Sequence, residues 1–111
     1  MALTDKKCVP CEGGIPAIEG ESIGSYTCQL KSKWEVVEGK KLRQAFSFPD
    51  FKGAMDFANK VAAIAEDEGH HPDLHIAWGK VVVELYTHAI GGLSENDFIV
   101  AAKIDELADK I

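Results

Sequence analysis

The sequence has no long hydrophobic run. Apolar stretches such as Val61–Ala65 and Val81–Val83 fall far short of the roughly 20 residues needed to cross a bilayer, so no membrane span is expected. The start, Met1–Cys8, lacks the apolar stretch after its lysines that a secretion signal requires, which predicts a cytoplasmic protein. Basic residues are scarce: 12 Lys and Arg stand against 18 Asp and Glu, a net charge of −6. That balance argues against capture of a phosphate backbone, and Lys31, Lys33, Lys40 and Lys41 read as solvated surface rather than as a nucleic-acid site. Cysteine is rarer still, and three residues are an odd count that suits free thiols better than a disulfide framework. Cys8 and Cys11 form a C-x-x-C in a Pro/Gly-rich leader, with no second pair to complete a zinc site and no strand-to-helix context for redox work. Also missing are a glycine-rich phosphate loop after a strand and a nucleophile elbow around any serine.

What remains is a chain of 111 residues, 46% hydrophobic and 27% charged, suited to one core-forming domain with a radius of gyration of roughly 13 Å. Residues 1–17 read as an irregular N-terminal arm, punctuated by Pro10, Gly13, Gly14 and Pro16, and 18–111 as a single domain. Ile23, Tyr26, Thr27 and Leu30 recur at helical steps and predict a helix from Glu19 to about Lys33. Trp34–Glu38 and Leu42–Phe48 predict a hairpin. Asp50 caps a helix whose apolar positions are Phe51, Ala54, Met55, Ala58, Val61, Ala62 and Ala65, and Gly69 with Pro72 ends it.

Asp73–Trp78 and Val81–His88, joined at Gly79-Lys80, predict a second hairpin, which Gly91-Gly92 closes. Ser94-Glu95-Asn96-Asp97 is close to a capping box, and Phe98, Ala101, Ala102, Asp105 and Ala108 follow on or near one stripe of a last helix. The fold class is therefore α+β: a four-stranded antiparallel sheet covered by helices, in the order α-β-β-α-β-β-α.

His70, His71 and His75 are three of the four histidines and fall within six residues, after a helix end and around a proline. A metal reading would pair His71 with His75, but Pro72 interrupts any helix between them, so no metal is expected. His75 shares strand parity with Asp73 and Ala77 and reads as a surface residue. His70 and His71 read equally as helix-end caps and as functional groups; a helix C-terminus favours the imidazolium form, which makes a competent acid. His88 is placed at the end of the last strand, on the face of Val82, Glu84 and Tyr86, where on its own it reads first as a sheet-edge histidine. Glu66, one turn before the pair, is positioned either to orient a ring or to sit on solvated helix surface. Imidazoles point to acid–base catalysis without a metal, by a lyase, isomerase or hydrolase.

Taken together, His70-His71-Pro72, Trp78-Gly79-Lys80-Val81, Thr87-His88 and Gly92-Leu93-Ser94-Glu95-Asn96-Asp97-Phe98 resemble the pterin-4a-carbinolamine dehydratase family. The resemblance covers roughly Trp34 to Asp105, and the Cys8-Val9-Pro10-Cys11 arm is also similar to that of many bacterial members. It implies a sheet with helices on one face, a dimer or tetramer, and no cofactor, the reduced pterin being the substrate. The implied reaction is dehydration of 4a-hydroxytetrahydropterin to quinonoid dihydropterin, which serves an aromatic amino acid hydroxylase pathway. Carried over by position, it implies His70 and His71 as general acids, His88 as substrate-positioning base, and Glu66, Pro72, Trp78 and Asp97 as substrate-binding residues. Gly69 and Asn96 depart from animal members, which carry aspartate and arginine there. A non-enzymatic dimerisation or coactivator module, a molybdopterin-related role, and a metal protein built on His70, His71, His75 and the leader cysteines are the competing readings.

Overall fold

A computed structural model describes residues 3–5 and 17–109 of the chain. Most of the expected arm, with Cys8 and Cys11, lies outside them. Within that arm Leu3–Asp5 forms one 3-10 turn, and Leu3 is buried against the last helix.

The elements run α1 (Glu21–Thr27), β1 (Glu35–Val37), β2 (Lys41–Ser47), α2 (Phe51–Glu68), β3 (Asp73–Ala77), β4 (Lys80–Leu85) and α3 (Glu95–Asp109). The strands form one antiparallel sheet in the order β1-β2-β4-β3. Alternation divides its faces. Leu42, Val81, Val83 and Leu85 are fully buried in the same cluster as Ala54, Phe57 and Val61 of α2 and Phe98, Val100 and Ile104 of α3. Arg43, Ala45, His75 and Ala77, of opposite parity, stay exposed on the helix-free face. The radius of gyration is 13.4 Å. No helix among the described residues is long and apolar enough to cross a membrane.

α2 begins as expected: the Gly53 amide donates to the Asp50 carboxylate at 2.7 Å. Its buried stripe is Ala54, Phe57, Ala58, Val61 and Ala65. Phe57, absent from the expected stripe, packs its ring 4.9 Å from Phe46 and 5.0 Å from Phe48, while Phe51 and Ala62 face solvent.

Three expectations need correction. α1 stops at Thr27 rather than near Lys33. Gly24 lowers its helix propensity, and the Ser32 amide donates to the Asp105 carboxylate at 3.1 Å instead of to a helical carbonyl. α3 is buried almost all round rather than along one stripe, because α2, the Leu3 turn and α1 all pack on it, with Tyr26 stacked 4.8 Å from Phe98. Lastly, His88 does not end a strand but opens a 3-10 turn, His88–Ile90. β4 runs out of partners at Leu85, since β2 ladders no further than Leu42↔Leu85 and β3 no further than Asp73↔Glu84. Thr87 then donates its amide to the Gly92 carbonyl at 2.8 Å, which closes a tight loop.

Candidate active site

α2 ends by a definite device. Gly69 adopts the left-handed conformation, φ 67 and ψ 25, and the His70 amide reaches back to the Ala65 carbonyl at 3.2 Å. Pro72 then turns the chain into β3. Two adjacent histidines leave this corner in different directions. His70 goes inward, its side chain only 12% exposed, and its Nε2 meets Asp97 Oδ1 at 2.6 Å. His71 goes outward, 58% exposed, and its Nε2 lies 2.5 Å from Glu66 Oε2, one turn back on α2.

Asp97 is fully buried in the first turn of α3. The Ser94 amide donates to its Oδ2 at 2.9 Å, the capping-box bond expected from the sequence with aspartate in place of glutamate. The Thr87 hydroxyl donates to the same oxygen at 2.8 Å and lies 2.7 Å from the Ser94 hydroxyl. Oδ2 therefore already receives two donors, so Asp97 acts as an acceptor and the His70 Nε2–H is the third donor.

Register brings the second half of the site to the first. Asp73 pairs with Glu84, so Pro72 and the histidine corner lie beside the segment that follows β4. Between residues 69–73 on one side and 86–89 on the other lies an open hollow of about 330 Å³. His88 is exposed at its edge, its ring 4.2 Å from that of Tyr86 and without a side-chain hydrogen bond among the described residues.

His70, His71, His88 and Pro72 thus line one hollow, and Asp97 and Glu66 each hold one of its histidines. Trp78 is not part of it. It sits in the β3–β4 turn, 69% exposed, at the far end of a five-residue strand, roughly 17 Å of extended chain from Asp73. His75 projects from the helix-free face, exposed, and bonds Glu84 at 3.2 Å. Among the described residues no three His, Cys, Asp or Glu side chains converge to hold a metal. Sequence reasoning missed Thr87 and Tyr86 as site residues. Thr87 is a polar residue at the apolar end of a strand pattern, a signal that its hydroxyl has a buried partner.

A model of the pterin 4 alpha carbinolamine dehydratase family matches residues 16–107. A Rickettsia bellii protein provisionally named pterin-4-alpha-carbinolamine dehydratase is 53% identical over 106 residues, covering 96% of this chain and 94% of that one. A Rubrobacter xylanophilus protein of the same provisional name is 46% identical, over 95% and 97%. Among solved structures, the transcriptional coactivator/pterin dehydratase from Brucella melitensis superposes with a TM-score of 0.77 at 30% identity, over 84% of this chain and 99% of that one. A pterin dehydratase-like protein described as a RuBisCO assembly factor in the alpha-carboxysome superposes at 0.60 with 25% identity, over 70% and 92%.

Proposed function

The chain belongs to the pterin 4 alpha carbinolamine dehydratase family, and from that premise we propose that it dehydrates a 4a-hydroxytetrahydropterin to the quinonoid dihydropterin by histidine acid–base catalysis. The observation that carries the proposal is the Asp97–His70 pair set into a hollow that His71 and His88 share. The hollow's volume, about 330 Å³, suits a bicyclic ring.

Expelling the 4a-hydroxyl requires a proton on oxygen. His70 and His71 are the donors in this scheme, because each has a carboxylate behind it that balances the charge of an imidazolium and leaves Nδ1 as the transferring atom. As the C4a–O bond breaks, the lone pair of the adjacent ring nitrogen forms the new C=N bond. His88, which has no carboxylate partner among the described residues, positions the pterin and accepts the proton that the ring nitrogen loses. Water leaves, and exchange with solvent returns a proton to the donating imidazole and removes one from His88. No metal takes part in this scheme, so prolonged chelator treatment should leave the rate unchanged; a loss restored by added zinc would overturn it.

The reaction belongs after a hydroxylase that leaves its pterin as the carbinolamine, and the protein works as a homo-oligomer. A coupled assay tests the activity: the carbinolamine is generated in place, and quinonoid product is followed with and without the protein. Acceleration above the spontaneous rate supports the dehydratase. A folded protein that gives none is a non-enzymatic binding module instead.

A further inference from the structure

Asp97 is, among the described residues, the one fully buried carboxylate that touches a histidine of the hollow, and the groups behind it fix more than its position. Its Oδ2 accepts from the Ser94 amide and from the Thr87 hydroxyl, and Thr87 is itself within 2.7 Å of the Ser94 hydroxyl. All three residues are buried. A hydroxyl has one proton to give. If Thr87 gives its proton to Asp97, the Ser94 hydroxyl proton points at Thr87, and the chain runs Ser94 to Thr87 to Asp97. The opposite polarity would set a Thr87 lone pair against Oδ2 at 2.8 Å, acceptor against acceptor, and would be relieved only by a proton on Asp97. That proton has a nearby source in the His70 Nε2–H, 2.6 Å from Oδ1.

Resting on the dehydratase reading, we infer that Thr87 and Ser94 are positioning residues that, through Asp97, keep the proton on Nε2 of His70 and so reserve Nδ1 for exchange with the pterin. A buried carboxylate deprived of a donor bears the desolvation cost of an unsatisfied acceptor, and within a low-dielectric network it recovers that cost by taking the shared proton. As Nε2 gives up its proton to the carboxylate, Nδ1 takes one from solvent, and His70 then presents its proton on the wrong nitrogen. Neither Thr87 nor Ser94 transfers a proton to substrate; they decide where His70 holds its own.

The test combines ring ¹⁵N shifts of histidine-labelled protein, recorded at basic pH where the neutral ring is seen, with steady-state kinetics. Wild type should show His70 as the Nε2–H tautomer. Thr87→Val, which keeps the shape and removes the donor, should shift His70 away from that tautomer and lower kcat by roughly 10–100-fold, the order seen when the outer partner of a metal-bound histidine is removed, with KM little changed. Thr87→Ser should restore both. Should Thr87→Val fail to fold, Ser94→Ala serves in its place: it keeps the Thr87 donor but frees its direction, and should give a smaller change of the same kind. Folded Thr87→Val or Ser94→Ala protein with unaltered His70 ring shifts overturns the inference, as does a loss of kcat that Thr87→Ser does not recover. The ring shifts need no pterin. An inactive wild type whose His70 tautomer still responds to Thr87→Val would refute the dehydratase reading and leave the proton arrangement standing.

Discussion

Glu84 stands on the helix-free face among His75, Lys41 and Arg43. Burial there works against its charged form, but the His75 hydrogen bond and the nearby Lys41 and Arg43 outweigh it, and the carboxyl is held below its ordinary value. A group lowered in the folded state adds stability that is complete above its unfolded pKa and is lost as pH falls through its folded one. The stability difference between wild type and Glu84→Gln should therefore shrink as pH falls through and below the ordinary glutamate range; denaturant midpoints across acidic pH measure this, and a gap that widens on acidification would contradict it. The same parity that put His75 on this face was readable in the sequence. The inward turn of His70 and the outward turn of His71 were not, because the residue that holds His70, Asp97, stands 27 positions away and only the packing of α3 brings it to the corner.

At the scale of elements, local signals held where the chain settles its own geometry. Asp50 and Gly69 bound α2 because a cap and a left-handed residue act within one turn. They misled where a neighbouring element decides: β4 ends early for lack of ladder partners, and α1 is cut short by a carboxylate on α3. The β3–β4 turn shows another such constraint. A Cβ on Gly79 would stand 2.8 Å from the Phe48 carbonyl oxygen, a backbone atom that cannot swing aside, and the Phe48 amide bonds the Gly79 carbonyl at 2.8 Å. Gly79→Ala should cost about 1–3 kcal/mol of stability, as overpacking does. At Gly69 an added Cβ meets open space and the cost comes from its φ of 67 alone, about 1 kcal/mol for alanine in place of glycine. Thermal or urea unfolding of the two variants compares them, and equal stability of Gly79→Ala and wild type would remove the close approach from the description.

For the whole molecule, the family and the α+β layering were legible in motif and period, whereas the placement of Trp78 was not, since nothing in a linear motif says that its turn lies a full strand from the hollow. Its exposure fits another role. Among the described residues Phe51, Ile76 and Trp78 are the exposed large hydrophobics, and the Phe48–Gly79 bond ties the start of α2 and the β3–β4 turn to one end of the sheet. The edges of β1 and β3 are also unpaired within the sheet. Such surface favours association, and light scattering at micromolar concentration should report a mass above the 12.1 kDa of one chain; a monomer would contradict the proposed homo-oligomer.

Turnover of a 4a-hydroxytetrahydropterin in His70→Ala and His75→Ala proteins of matched fold decides whether the Asp97-backed corner carries the chemistry. A general acid in this role contributes roughly 10²–10⁴-fold, so His70→Ala should fall by that order toward the spontaneous rate while His75→Ala stays close to wild type. Full activity in His70→Ala together with its loss in His75→Ala would move the site to the helix-free face of the sheet and contradict the account.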